Sequence, residues 1–357
     1  MFKIENTSSF NTDSLVEGDD FDYVTRTSIN QGVLQTTGFV NEENINNSGN
    51  WSLGLLQMDF FYRKKPWYAG QFVRKVIPKD IINDKAVPFF TTVLNKLSPI
   101  LSNVLVRDVN NTFEELKVLL PVKNGELDFD FMESFIAELE TERVGELESY
   151  LTAEGLKDCE LTKEEEAAIR SFNEVEWKEY QMKKLFERIN TKKLPYKAKE
   201  LPREPREEYI LPCLTSSFMN QGLNYFAPKE NATILKNVIS IPSNSDVYRA
   251  YFQSRDFTVL SDAYAIKWIY DDKDLSKNQY LFTVQCINKV TDLPKYSYKN
   301  KLGGWNVVRN KFISLPTKNN KPDYEYMETL IYAIKKLVIK DTVKWVSEKS
   351  KQLEFIK

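Results

Sequence analysis

Two short polar stretches hold the side chains best suited to chemistry. Thr25-Arg26-Thr27-Ser28-Ile29-Asn30-Gln31-Gly32 follows an apolar start at Tyr23, and Thr215-Ser216-Ser217-Phe218-Met219-Asn220-Gln221-Gly222 follows Leu211-Pro212-Cys213-Leu214. Hydroxyls and short amides can hydrogen-bond phosphates and base edges, and Asn or Gln can pair bidentately with adenine. Each stretch reads as a strand entering a polar turn that glycine closes. Either alone is an ordinary turn; the recurrence marks them. Basic residues extend the set. Arg63, Lys64 and Lys65 lie in an aromatic-rich segment after Trp51-Ser52-Leu53, and Asn244 and Arg249 lie in the parallel segment after Ile239-Ser240-Ile241. Lys192 and Lys193 complete it. Bases interleaved with aromatics suit a nucleic-acid surface, although the aromatics themselves more often fill a core. The candidate DNA-contacting residues are Thr25, Arg26, Thr27, Ser28, Asn30, Gln31, Arg63, Lys64, Lys65, Lys192, Lys193, Thr215, Ser216, Ser217, Asn220, Gln221, Asn244 and Arg249.

Catalytic constellations are missing. The chain has no histidine, which removes His-dependent nucleophiles, general bases and metal sites. No G-x-x-x-x-G-K-[ST] phosphate loop occurs, nor an Asn-Pro-Pro-Tyr-like signature of amino-methyltransferases. Asp108, Glu115 and Lys117 resemble the acid–acid–lysine set that holds magnesium in many nucleases. Such spacing is common by chance, and this set has no obvious partner in the second half of the chain. No catalytic residue and no metal ligand are assigned, and a metal-dependent nuclease is kept only as an alternative. Cys159, Cys213 and Cys286 are isolated and read as reduced cysteines of a cytoplasmic protein.

These residues must be positioned by something that occurs twice. Leu120-Pro121-Val122-Lys123-Asn124 through Asp128-Phe129-Asp130-Phe131-Met132-Glu133-Ser134 recurs without a gap as Leu315-Pro316-Thr317-Lys318-Asn319 through Asp323-Tyr324-Glu325-Tyr326-Met327-Glu328-Thr329. A period this long means two copies of a domain plus connector, a pseudo-dimer. Leu-Pro ends an extended segment, Lys-Asn turns, and Asp128 and Asp323 are the expected N-caps of two long helices. Apolar residues then recur at helical spacing: Met132, Phe135, Ile136, Leu139, Leu147, Tyr150 and Leu151, and Met327, Leu330, Ile331, Ile334, Val338, Trp345, Val346 and Leu353. That narrow stripe predicts an antiparallel coiled coil between two globular units. Thr162 and Glu165 form a capping box for a short connecting helix through Ile169. Phe2 to Thr7 resembles Phe186 to Thr191, but the opener Trp177 to Leu185 has no counterpart ahead of Phe2. Either the first unit dispenses with that strand, or the chain as given begins inside it. A helix is expected from Phe90 to Leu97 and another from Phe282 to Lys289.

Charge is distributed unevenly. Net charge is only −2, yet residues 126–176 hold 17 acids against 4 bases, and residues 177–320 hold 24 bases against 14 acids. A basic domain beside an acidic connector suggests a polyanion partner for one and a protein partner for the other. A solvated acidic helix with a lysine-rich surface would look the same. No apolar run is long enough for a membrane span and none resembles a signal peptide, so no membrane partner is expected.

The order of domain, Leu-Pro joint and long helix, repeated once, resembles the specificity (S) subunit of type I restriction–modification systems, or the related type IIB specificity subunits. The duplication carries that resemblance; no single motif is diagnostic. It implies an α/β (α+β) fold of two similar target-recognition domains separated by long antiparallel coiled-coil helices, related by a pseudo-twofold. The expected segments are residues 1–125 (first recognition domain), 126–176 (acidic spacer helix and connector), 177–320 (second recognition domain) and 321–357 (C-terminal spacer helix). It further implies a non-catalytic subunit that reads a bipartite, asymmetric site on double-stranded DNA. Methyltransferase (modification) subunits would dock on the helices, and a restriction subunit would join through them. No cofactor is expected on this chain; S-adenosylmethionine, ATP and magnesium would sit on partner subunits. A coiled-coil scaffold with no DNA role is the rival reading.

Overall fold

The structure, a computed structural model, describes residues 1–354, so the last three residues of the helix expected over 321–357 lie outside the described residues. The chain divides into two compact units: residues 1–150 with the segment from Val346 onward, and residues 151–345. Both mix helix and strand.

In the first unit β1 (Phe2–Asn6), β2 (Phe21–Val24), β3 (Val33–Thr37), β4 (Asn50–Gly54), β5 (Asp59–Arg63), β6 (Trp67–Ala69) and β7 (Val73–Pro78) precede α1 (Val87–Asn95), α2 (Ser98–Leu101) and α3 (Val109–Glu115). One antiparallel sheet has the order β1-β7-β4-β5; a second, β3-β2-β6, pairs β2 parallel to β6. β4 is buried along its whole length, although its sequence alternates Asn50, Ser52 and Gly54 with Trp51 and Leu53. Its one hydroxyl, Ser52, therefore needs an internal partner. Trp51, Leu53 and Phe60 pack with Phe90 and Leu94, one turn apart on α1, and with Met132. Each such side chain contributes about 1.5–3 kcal/mol by leaving water.

The joint follows as expected. β8 (Val122–Lys123) and β9 (Glu126–Leu127) form a hairpin whose turn residues Asn124 and Gly125 have φ of 54° and 86°, the Asn-Gly signature of a type I′ turn. Asp128 Oδ1 then accepts the Phe131 N–H at 2.9 Å and caps α4 (Phe129–Ala153).

In the second unit α5 (Lys163–Arg170) begins with the capping box: Thr162 Oγ1 accepts the Glu165 N–H and Glu165 Oε2 accepts the Thr162 N–H. After it come β10 (Trp177–Gln181), α6 (Met182–Leu185), β11 (Phe186–Arg188), β12 (Tyr209–Leu214), β13 (Leu223–Pro228), β14 (Val238–Pro242), β15 (Tyr251–Gln253), β16 (Thr258–Val259), β17 (Ala263–Trp268), α7 (Lys277–Thr291), α8 (Trp305–Val308), β18 (Phe312–Lys318) and β19 (Lys321–Pro322). The sheets β11-β17-β14-β15 and β13-β12-β16 run in the same order as those of the first unit. A third, β10-β18-β19, uses the opener from Trp177. In the first unit residues 116–121, which align with the start of β18, form no strand. Asp323 Oδ1 accepts the Tyr326 N–H at 3.0 Å and caps α9 (Tyr324–Glu354).

The stripe expected between the long helices is only partly buried. Met132, Leu151 and Met327 are buried and Ile136, Leu147 and Ile331 half-buried. Leu139, Ile334, Val338 and Trp345 are 39%, 42%, 76% and 52% exposed, so they do not sit in a packed seam. One cause is visible. Met132 and Met327 are taken up by the cores of their own units. On α9 the further buried positions are Leu330, Ala333, Lys336, Val346 and Leu353; Leu330, Val346 and Leu353 belong to the expected stripe, and Ala333 and Lys336 lie outside it. Lys336 escapes a hydrophobic count. Its stem is buried while its ammonium meets Glu165 Oε2 and the Glu160 carbonyl, each at 3.0 Å. In the first unit the end of α9 meets α4 through Lys349 to Glu140 at 2.9 Å and Ser350 to Glu148 at 3.1 Å. No described helix is long and apolar enough to cross a membrane.

Candidate nucleic-acid interface

Each polar stretch folds into the same tight loop between two antiparallel strands. Asn30 and Gln31 both take left-handed backbone angles (φ 48° and 53°), as do Asn220 and Gln221 (47° and 56°), and Gly32 and Gly222 continue at 81° and 93°. The Thr25 N–H closes the first loop on the Gly32 carbonyl at 2.8 Å; the Thr215 N–H closes the second on that of Gly222 at 2.9 Å. Thr27 Oγ1 accepts the Ile29 N–H, and Ser217 Oγ accepts that of Met219. Two non-glycine residues in succession with positive φ form a sparsely populated conformation that surrounding structure must hold. The result projects Asn30, Gln31, Asn220 and Gln221 to the surface, all exposed.

The hold comes from the neighbouring edge strand. Arg63 donates from Nε to Ser52 Oγ at 2.9 Å and from its terminal nitrogen to the Gln31 carbonyl. In the second unit Gln253 donates from Nε2 to Ser240 Oγ at 3.0 Å and to the Gln221 carbonyl at 3.1 Å. Arg63 is 2% exposed, and burial lowers its pKa to about 10, with Asp22 opposing the shift. The sequence placed Arg63 on the DNA surface; the fold puts it beneath the loop.

Other candidates separate in the same way. Thr215 is buried, its hydroxyl taken by the Ser217 N–H and Asn224 Nδ2. Lys65 is spent on Asp22, 3.0 Å away, and on the Asp19 carbonyl. Arg249 is ion-paired to Asp292 at 2.7 Å, and that hydrogen bond raises its pKa. Asn244 turns Oδ1 inward, where it meets no donor among the described residues. Ser28 hydrogen-bonds Asp59. Lys64 lines a groove beside α4 with Glu133 and Glu140. Ser216 is half-buried. Among the described residues no group of three acids, cysteines or histidines could hold a metal ion. Burial raises the Cys213 and Cys286 thiols to about 12.

Three clefts gather part of what remains. In the first unit Thr25, Arg26 and Thr27 line one of about 590 Å³ with Asn11, Gln57 and Gln71. In the second, Asn220 and Gln221 line one of about 380 Å³ with Gln253, Ser254 and Arg255. Lys192 and Lys193 line another of about 250 Å³ with Arg188, Thr191 and Ser261. Their walls present amides, hydroxyls and guanidinium groups, the donors and acceptors that read phosphate and base edges. Gln57, Gln71, Gln253 and Arg255 escaped the sequence reading. A hydroxyl inside each buried strand, Ser52 and Ser240, was the available signal for the supports.

Comparison with known proteins places the chain beside restriction–modification specificity subunits. Residues 1–149 match the family model of the type I restriction modification DNA specificity domain. The first 149 residues are thus similar to that specificity domain, in keeping with the resemblance read from the sequence. A relative is the BgcI specificity subunit S.BcgI, described as of a type II restriction enzyme, from Heyndrickxia coagulans. It is 23% identical over 284 residues, which span 78% of this chain and 75% of the relative. The crystal structure of the type I restriction–modification S subunit from M. genitalium shares the fold. It aligns over 99% of this chain and 91% of that one with a TM-score of 0.50 and 13% identity.

Proposed function

We propose that this chain is the DNA sequence-specificity subunit of a restriction–modification complex, with each unit reading one half of a bipartite, asymmetric site. The observation that carries the reading is the loop that recurs with one backbone and two sets of side chains. Arg26-Thr27-Ser28-Ile29 occupies one copy and Ser216-Ser217-Phe218-Met219 the other. One frame with different contents suits two different half-sites. Of the candidates, Thr25, Arg26, Thr27, Asn30, Gln31, Ser216, Ser217, Asn220, Gln221, Lys192 and Lys193 remain for DNA contact; Arg63 and Thr215 serve the loops from below.

The two long helices act as an antiparallel coiled-coil spacer. Their 25 and 31 residues correspond to about 38 and 46 Å, near one turn of B-DNA at about 34–36 Å. Methyltransferase subunits dock on their exposed apolar residues. Phe131, Phe135 and Leu139 follow one another at four-residue spacing on α4, and Ile334, Leu337, Val338 and Trp345 are exposed on α9. S-adenosylmethionine, ATP and magnesium act on partner subunits, and a restriction subunit joins through the methyltransferase, in the cytoplasm. Base-modification sequencing of the source cell with and without the chain tests this. One split, asymmetric methylated motif should vanish on deletion; unchanged motifs would refute the reading.

A further inference from the structure

The two reading loops share a support that neither the family nor the resemblance assigns. Ser52 lies opposite Phe61 on β4–β5, and Ser240 lies opposite Tyr251 on β14–β15. Arg63 and Gln253 each stand two residues further along those edge strands. Each strand thus sends one nitrogen-bearing side chain under the loop, to the same backbone carbonyl: Gln31 in one unit and Gln221 in the other. Each side chain is oriented by the serine behind it. The serine hydroxyls in turn lean on their own sheets, toward the Phe61 carbonyl at 3.4 Å and the Tyr251 carbonyl at 3.5 Å. A left-handed pair of residues needs such an anchor, because nothing in its intrinsic preference keeps it there. A chain of satisfied hydrogen bonds supplies one that a single contact would not.

We propose that the pairs Arg63–Ser52 and Gln253–Ser240 are positioning residues that set base selectivity one half-site at a time, by holding the carbonyl of the second left-handed residue in each loop. The inference rests on the reading of these loops as the base-contacting elements. Neither pair needs to touch DNA. A guanidinium does in one unit what an amide does in the other, so the donor is what matters and the charge is incidental. The second unit shows that glutamine reaches from the same register.

The test uses the full chain with its methyltransferase partner. Amide hydrogen exchange over residues 25–32 and 215–222 is read beside the methylated motif. Arg63→Leu is expected to speed exchange at least tenfold in the first loop only and to relax the motif at one half. Gln253→Leu is expected to mirror it in the second loop and the other half. Arg63→Gln, which installs the second unit's donor, should retain both properties. Ser52→Ala and Ser240→Ala, which change little volume, should loosen the same loops if the leucine variants fail to fold. Arg63→Gln behaving like Arg63→Leu would overturn the proposal. So would faster exchange with both half-sites still fully selective. A wild-type complex that methylates no split motif would instead remove the function reading, with the exchange data still deciding whether the loops are anchored.

Discussion

The first and second units carry the same loop on different foundations. Asn30-Gln31-Gly32 and Asn220-Gln221-Gly222 match in backbone to within a few degrees, except for about 12° at the glycine φ. Beneath the first lies a buried guanidinium; beneath the second lies a neutral amide. Beside the first, Ser28 is tied to Asp59, whereas beside the second the Tyr251 hydroxyl donates to the Phe218 carbonyl at 3.0 Å. The shared part is what the backbone requires: a closing N–H, two amide residues that tolerate left-handed angles, and a glycine. The divergent part is the run ahead of them, Arg26 to Ile29 against Ser216 to Met219, and the donor beneath, Arg63 against Gln253. Duplicated domains under pressure to recognise different sequences would diverge in this way, keeping the frame and changing its contents.

That equivalence can be broken at several places. The largest effect is expected on the helices. Glutamate at Leu139 or at Val338 should each weaken methyltransferase capture at least about 30-fold, the size of a hot-spot loss near 2 kcal/mol, without lowering the melting temperature, because both side chains are exposed. Pull-down against circular dichroism separates the two. Loss from one helix alone would mean that the units do not serve as equal arms.

Next come the loop glycines. A Cβ on Gly32 would lie 3.3 Å from the carbonyl oxygens of both Thr25 and Thr27, and one on Gly222 would lie 3.4 and 3.5 Å from those of Thr215 and Ser217. Both positions have positive φ, so Gly32→Ala and Gly222→Ala should each cost about 1–3 kcal/mol in denaturant unfolding. The first should cost more. An equal or reversed order would show that the supports, not the local crowding, decide the strain.

A smaller difference is expected from charge. Where the second unit has Asn190-Thr191-Lys192-Lys193, the first has Asn6-Thr7-Ser8-Ser9. Reversing Lys192 and Lys193 to glutamate should lower the salt dependence of DNA binding by roughly two ion equivalents if both meet phosphates. Placing lysines at Ser8 and Ser9 should raise it. An unchanged slope would remove this cleft from the interface.

The parts legible in sequence were those set by local rules. Asp128 and Asp323 cap because a carboxylate can take an amide from the first turn, and Thr162 with Glu165 forms a box for the same reason. The loop was visible because Asn-Gln-Gly recurred. What failed depended on tertiary packing. Arg63 looked like part of a basic surface cluster, Arg63-Lys64-Lys65, yet it is the last residue of β5 and Lys64 already lies beyond the strand. Arg63 faces in and Lys64 out. The helix stripe missed Lys336, because a lysine does not register as a buried position. Its burial becomes understandable only once Glu165, far away in sequence, is seen to meet it. Gln253 could not be singled out at all until its carbonyl partner was known.

The finest distinction between the two foundations is one of protonation. Burial lowers the Arg63 pKa to about 10, below that of an exposed guanidinium, so the folded chain holds that proton less tightly than the unfolded chain does. The unfolded state binds more protons above about pH 10, and stability must rise with pH there. Below pH 10 both states are fully charged and the cost of the buried cation, on the order of 3 kcal/mol, is constant. Arg63→Gln removes that cost and loses some packing, so its stability should lie within about 1 kcal/mol of wild type. The difference between the two should stay flat from pH 6 to 9, then shift toward wild type as pH passes 10. Parallel denaturation curves across that range check it. A slope between pH 6 and 9 would mean that Arg63 is coupled to a second titrating group, and the contrast with Gln253 would then be one of charge after all.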